Sequence, residues 1–299
     1  MKLHGTMVAL ATPFRDGQLD EDAYRKLIRH CIEGGLDAIV PCGTTGETVT
    51  LTDEEYQRAI QIAVEEGRGK VPVIAGTGSN STAKTVAATA LAKSLGCDGA
   101  LIVTPYYNKP SQAGLEAHYR EVARRVADFP IVLYNVPGRT GVNLLPETVA
   151  RLSDTDVFVA VKEACGNLAQ VQDVLDQVGD RMAVLSGDDA LSLPMYALGA
   201  HGVISVAANV VPAEMRAIHT TFREGDLAGA ANLQSRLTPL FKALFVESNP
   251  IPLKAALWLL GIMRNELRLP LVPASKGTVT LLRAVMSELG LRLRGADEA

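Results

Sequence analysis

One pattern repeats along this chain and limits what it can fold into. A short apolar run is followed by a cluster of Gly, Thr, Pro or Asn, and then by a helical stretch. The runs are residues 6–11, 38–41, 71–75, 100–104, 131–134, 157–162, 182–186 and 202–206. Runs this short, apolar and rich in β-branched residues suit parallel strands buried on both faces. The stretches between them carry helix punctuation. Thr52-Asp53-Glu54-Glu55 reads as a capping box, Ser81 and Ser111 as N-caps, and Pro146 as a first-turn proline. Gly35, Gly96 and Gly199 suit helix C-termini. Eight βα units without a break in composition predict an α/β TIM (β/α)8 barrel. The alternative, a doubly wound open sheet, would favour a GxGxxG after its first strand, and none stands there. Beyond the eighth run come helical patterns over 213–224, 227–247, 251–261 and 275–289. The first closes the barrel. The other three exceed its needs, so the chain divides into a barrel over 1–225 and a C-terminal helical extension over 226–299, ending in a frayed tail over 291–299.

Composition removes several functional classes. With 47% hydrophobic and 21% charged residues the chain is ordinary globular material. A formal net charge of −4 gives no basis for binding nucleic acid or an anionic membrane. No apolar run reaches the length of a membrane span, and Met1-Lys2-Leu3-His4-Gly5 has no signal-peptide pattern. Cys31, Cys42, Cys97 and Cys165 form no CxxC pair and read as buried thiols of a cytoplasmic protein. The histidines are scattered without a metal-ligand spacing, so no metal is expected.

In a TIM barrel the chemistry sits at the C-terminal ends of the strands. There the sequence places Gly43-Thr44-Thr45-Gly46-Glu47, Pro105-Tyr106-Tyr107-Asn108, Tyr134-Asn135-Val136-Pro137 with Arg139, Lys162-Glu163, Ser186-Gly187-Asp188-Asp189, and Ile204-Ser205. Lys162 ends the apolar run 157–161, where burial would lower its pKa and leave a nucleophilic amine. A strand-end lysine can equally reach solvent. Gly43–Gly46 is either a plain turn or a carboxylate cradle of two threonine hydroxyls and free N–H groups. Tyr134 is either a core tyrosine or a proton shuttle beside Lys162. Arg139 is either solvated or a bidentate carboxylate clamp. Asp188-Asp189 reads as a helix cap rather than a metal site. Gly76-Thr77-Gly78 reads as a tight βα turn, because Ser81 stands where a dinucleotide motif needs its third glycine.

Gly43-Thr-Thr-Gly-Glu47, Tyr134-Asn-Val-Pro-Gly-Arg-Thr-Gly141 and a lysine ending the sixth strand resemble the pyruvate-dependent class I aldolases of the N-acetylneuraminate lyase superfamily. Further support comes from Val71-Pro-Val-Ile-Ala-Gly-Thr-Gly78, Thr104-Pro-Tyr-Tyr-Asn108, Leu185-Ser-Gly-Asp-Asp189, His201-Gly-Val-Ile-Ser205 and Asn249-Pro-Ile-Pro-Leu-Lys254. The likeness runs from about Gly5 to Leu291. Arg139 in its context, with the double tyrosine, points to the branch that joins pyruvate to L-aspartate 4-semialdehyde in lysine and diaminopimelate biosynthesis.

The resemblance implies roles. Lys162 forms a Schiff base with pyruvate, Thr45 with Thr44 holds the pyruvate carboxylate, and the backbone of Ile204 lines the same site. Tyr134 moves protons, wired through Thr45 and Thr44 to Tyr107, which enters from the adjacent subunit of a homotetramer built as a dimer of dimers. Arg139 meets the carboxylate of the aldehyde substrate, and Gly187 lines the cleft. No cofactor is implied, since a Schiff base makes the adjacent carbon acidic by itself. The rivals are a sugar-acid or 4-hydroxy-2-oxoglutarate aldolase of the same superfamily, or a non-catalytic keto-acid sensor. In feedback-inhibited members L-lysine binds at the tight dimer interface, its amino group on an acidic side chain near an asparagine. This chain keeps Asn80 and Tyr106 there but has Lys84 in place of the acid, with Thr48 and Tyr56 where serine and histidine are common. Insensitivity to L-lysine is expected.

Overall fold

The computed structural model describes residues 3–294; residues 295–299 of the expected tail, and Met1 and Lys2, lie outside them. The eight runs form strands β1 (Gly5–Ala9), β2 (Ala38–Val40), β3 (Ile74–Gly76), β4 (Gly99–Val103), β5 (Ile131–Asn135), β6 (Phe158–Glu163), β7 (Ala183–Ser186) and β8 (Gly202–Ser205). They pair in parallel in the order β2-β1-β8-β7-β6-β5-β4-β3. The seam between β2 and β3 is closed by the Ile39–Val73 bridge and by Ile39 N–H donating to the Pro72 carbonyl at 3.0 Å. The third strand starts later than expected because Pro72 has no N–H to give a ladder.

Helices α1 (Glu21–Glu33), α2 (Asp53–Gly67), α3 (Thr82–Ser94), α4 (Gln112–Arg125), α5 (Pro146–Leu152), α6 (Leu168–Val178), α7 (Ser192–Leu198) and α8 (Pro212–Arg223) surround the sheet, so the expected TIM barrel is borne out. The caps fall where expected. Thr52 and Glu55 bond reciprocally, Ser81 accepts from Lys84 N–H and Ser111 from Gly114 N–H. Gly35, Gly96 and Gly199 all have positive φ after their helices. A hairpin ahead of α1 was not anticipated, nor was the helical turn Pro137–Thr140 after β5. Phe14–Arg15 and Gln18–Leu19 make a small hairpin around Asp16-Gly17, both with positive φ. The Asp-Gly pair was its available signal.

Alternation along the strands builds two apolar layers. Met7, Val40, Ile74, Leu101, Val132, Ala160, Leu185 and Ile204 fill the barrel interior. Val8, Ile39, Ile102, Leu133, Val161, Val184 and Val203 face the helices. The expected extension contains α9 (Leu227–Ala243), α10 (Ile251–Leu259) and α11 (Lys276–Glu288). Helix α9 ends before residue 247, the expected limit, and 244–250 run instead across the barrel mouth. None of the helices of the described residues is long and apolar enough to cross a membrane. Cys31, Cys42 and Cys97 are buried as expected; Cys165 is only half-buried, because it lies in the loop after β6.

Lys254 of α10 and Glu47 of the β2 loop form an ion pair of 2.6 Å with side-chain exposures of 0% and 1%. Lys254 also stands 4.2 Å from the centroid of the Phe14 ring, and Arg268 N–H donates to Glu47 Oε2 at 3.2 Å. Removing one partner of such a pair costs about 3–5 kcal/mol, because the other charge is left buried and unpaired. Urea unfolding of Lys254→Met is expected to show that loss. Glu47→Gln combined with Lys254→Met should recover most of it, since Gln still accepts from Arg268 N–H. Equal losses in the two variants would show that the charge pairing is not what matters.

Candidate active site

The position of Lys162 follows from a register shift. Ile131 pairs with Phe158, but Val132 pairs with Ala160, so β6 carries an extra residue at Val159. Before the shift Phe158 faces the helices; after it Ala160 faces the barrel interior. Lys162, two residues on, therefore points inward opposite Tyr134. Its Nζ lies 4.4 Å from the centroid of the Tyr134 ring, and the residue is 4% exposed. Burial lowers the Lys162 pKa to about 8; Asp189 opposes this and Arg139 adds to it. Burial pushes the Tyr134 phenol up to about 12, against Arg139 and the neighbouring Thr44. Both groups are driven toward their neutral forms.

The 43–47 loop forms the adjoining wall. Gly46 and Glu47 N–H groups fold back on the carbonyls of Gly43 and Thr44, both at 3.1 Å. The N–H groups of Thr44 and Thr45 have no protein acceptor among the described residues, as a carboxylate cradle requires. Buried Thr45 receives the Asn249 side-chain N–H on its hydroxyl at 3.0 Å. Arg139 stands on the helical turn Pro137–Thr140 and donates from Nη2 to the Asn249 carbonyl at 3.2 Å. Gly187 is glycine for a steric reason: a Cβ there would come within 3.0 Å of Lys162 Cε and 2.7 Å of Ala164 Cβ. Gly76, in the turn read as a tight βα connection, likewise has no room, since its Cβ would meet the Cys42 carbonyl at 2.3 Å.

Thr44, Thr45, Tyr134, Lys162, Gly187 and Asn249 line a cavity of about 150 Å³. It adjoins one of about 250 Å³ that shares Thr44, Tyr134 and Arg139 and extends to Thr48, Val49 and Tyr106. Drug-sized pockets begin at about 300 Å³, so the inner space suits a molecule of a few heavy atoms.

Two carboxylates sit behind these walls. Glu163 accepts from Asn135 Nδ2 (2.9 and 3.1 Å), Cys165 N–H and Gln170 Nε2, which ties β6 to β5 and α6. Asp189 does not cap the helix that follows it, so that expectation is corrected. Its Oδ2 accepts from Val206 and Ala207 N–H at 3.1 and 2.8 Å, at the turn after β8, because that loop packs closer to it than α7 does. Asp188 accepts from Ala190 N–H at 2.9 Å.

Of the expected site residues, Lys162, Tyr134, Thr44, Thr45, Arg139 and Gly187 meet at one chamber. Ile204 is fully buried in the interior below it, and Val206 provides the wall on that side. Tyr107 is 88% exposed and lies outside the chamber of its own chain. Sequence reasoning gave no role to Asn249 or Phe245, which reach the chamber from the extension. The Asn-Pro-Ile-Pro-Leu-Lys stretch was the available signal for the first.

A strand-end amine, depressed in pKa at the mouth of a (β/α)8 barrel, is what a lyase of the Schiff-base-forming class requires. A model of the Dihydrodipicolinate synthetase family matches residues 2–289, and the chain belongs to that family. It is 53% identical to the 4-hydroxy-tetrahydrodipicolinate synthase of Geotalea uraniireducens, over 96% of this chain and 99% of that protein. The crystal structure of dihydrodipicolinate synthase from Aquifex aeolicus superposes with a TM-score of 0.95 at 46% identity, covering 98% of this chain and 100% of that one. The chloride-inhibited synthase from Acinetobacter baumannii complexed with pyruvate gives a TM-score of 0.94 at 41% identity, covering 96% and 99%.

Imine formation on Lys162, trapped with cyanoborohydride and pyruvate, is expected to rise with pH through an apparent pKa near 8. An ordinary lysine would titrate near 10.4. Asp189→Asn removes the charge that favours the ammonium, so the profile should move to lower pH. A midpoint above pH 10 would refute this electrostatic account.

Proposed function

We infer that the protein condenses pyruvate with L-aspartate 4-semialdehyde through a lysine Schiff base to give 4-hydroxy-tetrahydrodipicolinate, in lysine and diaminopimelate biosynthesis. The observation that carries the reading is the buried Lys162 amine, 4.4 Å from the Tyr134 ring, in a chamber that also presents Thr45 and Arg139. Neutral Lys162 attacks the pyruvate ketone and water leaves. Thr44 and Thr45 hold the carboxylate, with the backbone of Ile204 along the same site. Loss of a methyl proton gives the enamine, the iminium nitrogen having accepted the electron pair. The enamine carbon attacks the aldehyde while Arg139 holds the second carboxylate and Gly187 leaves room beside Lys162. The substrate amine then displaces Lys162 and closes the ring.

Tyr134 carries the protons in this scheme. A phenol with a raised pKa is a poor free base, but a hydroxyl relay lets it pass a proton without holding charge. Positioned transfer of this kind is worth about 10²- to 10⁴-fold in rate. The relay runs through Thr44 and Thr45 to Tyr107 of an adjacent subunit; the exposure of Tyr107 on its own chain supports this. The protein in this reading is a cytoplasmic homotetramer, a dimer of dimers. Residues 1–225 form the catalytic barrel and 226–299 the extension that brings Asn249 to it.

The test is turnover of pyruvate with aspartate semialdehyde, run beside a panel of sugar-acid aldols. Lys162→Arg should abolish the trapped pyruvyl adduct, since a guanidinium stays protonated. Tyr107→Phe should lower kcat yet leave imine formation intact. Mixed dimers of Tyr107→Phe and Lys162→Ala should regain part of the activity, and no recovery in verified mixed dimers would confine Tyr107 to its own chain. Preferred cleavage of a sugar-acid aldol would sink the assignment.

Lys84 lines a groove with Thr48, Asp53, Tyr56 and Tyr106, and the Tyr56 hydroxyl is already donated to the Gly76 carbonyl at 2.9 Å. An ammonium facing another about 4 Å away is repelled by roughly 4 kcal/mol at a partly screened site. Initial rates should therefore be unaffected by L-lysine into the tens of millimolar, and Lys84→Glu is the variant expected to gain inhibition. Half-inhibition of the unaltered protein at sub-millimolar lysine would refute this.

A further inference from the structure

Glu163, next to Lys162 on β6, is a buried carboxylate whose hydrogen-bond partners are all neutral. It is 1% exposed and accepts from Asn135 Nδ2 on both oxygens (2.9 and 3.1 Å), from Cys165 N–H at 3.0 Å and from Gln170 Nε2 at 3.3 Å. Each contact is a donor facing an oxygen, so the network fits the ionised carboxylate and not an acid or an amide. Burying a charge among neutral groups costs stability that a packed apolar pair would not. The placement of Glu163 shows what that cost secures. In the register of β5 and β6, Tyr134 pairs with Lys162 and Asn135 with Glu163. Tyr134 and Lys162 point into the barrel, so Asn135 and Glu163 point out toward the helices. Theirs is the last rung of the pairing, and two residues beyond it Pro137 has no N–H for a ladder. Asn135 is itself fully buried, with its Oδ1 accepting from Leu144 N–H at 2.9 Å.

Resting on the proposed function, we propose that Glu163 is a positioning residue for the proton transfers at the pyruvate imine: through Asn135 it fixes the end of β5 against β6, and so holds Tyr134 at Lys162. Proton relay demands hydrogen-bond reach, and a displacement of about 1 Å can cost about 10²-fold in rate. Glu163 and Asn135 are not among the residues that line the chamber, so they act through the pair in front of them. The two-oxygen grip is what the carboxylate adds. In Glu163→Gln the new amide nitrogen faces a donor whichever way it turns, because Asn135 Nδ2 reaches both oxygens. Turning the Asn135 amide instead would set its nitrogen against Leu144 N–H. Asn135→Asp with Glu163→Gln exchanges the roles: the charge moves to β5 and the amide at 163 donates to it. The Asn143 and Gln170 amides, which bond each other in both directions at 2.8 and 3.1 Å, then turn over together, and every donor again meets an acceptor.

The test uses pyruvate alone. In deuterium oxide the methyl protons of pyruvate exchange for deuterons: a C–H bond breaks as the iminium nitrogen takes the electron pair, and a C–D bond forms on return. The rate is followed by proton NMR against pyruvate concentration, and urea unfolding is measured for every variant. Glu163→Gln should lower kcat for exchange by about 10- to 100-fold, with KM for pyruvate changed less than about threefold. Asn135→Ala, which removes the link and leaves Glu163 its other donors, should show the same split. Asn135→Asp with Glu163→Gln should return kcat to within about fivefold of the unaltered protein. In a Tyr134→Phe background Glu163→Gln should cost less than about a further threefold, because the group it positions is gone. An undiminished kcat in Glu163→Gln, its full loss again in the Tyr134→Phe background, or a folded double variant no faster than Glu163→Gln would overturn the role. Should Glu163→Gln fail to fold, Asn135→Ala and the double variant decide it: loss in the first with recovery in the second supports the role, and any other pattern overturns it. An unaltered protein that neither traps the imine nor exchanges the methyl protons would overturn the proposed function, and the role of Glu163 with it, before any variant is compared. Exchange without turnover of aspartate semialdehyde would overturn only the second substrate of that function.

Discussion

The buried contact between Lys254 and Glu47 joins residues more than two hundred positions apart, and the architecture of the site depends on it. Glu47 closes the loop whose threonines face the chamber, and does so in a left-handed conformation with φ of 51°. A non-glycine residue held there is strained unless its surroundings over-determine it. The ammonium of Lys254, the Arg268 N–H and the Phe14 ring supply that determination. The same clamp seats α10, and so places the 244–250 segment across the mouth of the barrel. The extension is thus part of the site, through Asn249, as well as cover for the outside of the barrel.

Inside the chamber, burial acts on two groups in opposite senses. It makes the amine easier to deprotonate and the phenol harder, so both are favoured in their uncharged forms. For imine chemistry this is a useful division: a neutral nucleophile beside a neutral hydroxyl able to donate or relay. Asp189, fully enclosed and held by the N–H groups of the β8 turn, keeps Lys162 from being depressed further. The chamber therefore balances desolvation against one fixed carboxylate, and both come from strand ends that the barrel brings together.

Much of this is legible in the amino-acid sequence. The eight apolar runs, the capping box at Thr52 and the C-terminal glycines are legible because they are local. Each depends on a few adjacent residues and on backbone geometry that propensity and periodicity report. The chamber residues on strand ends were legible for the same reason, once the barrel was known to gather those ends on one rim. What escaped was long-range or conditional. The partner of Glu47 lies far along the chain. Asp189 reaches the turn after β8 rather than its own helix, and no spacing rule connects Asn249 to Thr45. Tyr107 stands outside its own chamber, as the family resemblance implied, though no local pattern in the chain says so.

Lys162 separates the two levels most sharply. The sequence by itself determined that a lysine ends a buried strand, and that hydroxyl-bearing and basic residues end neighbouring strands. Strict alternation from Phe158, which faces the helices, would have turned Lys162 outward with it. Only the tertiary structure decided otherwise. Pairing β6 with β5 requires the extra residue at Val159, and that single shift reverses the facing of every residue after it. Lys162 then enters the closed interior beside Tyr134, where low dielectric and fixed neighbours lower the pKa of the amine.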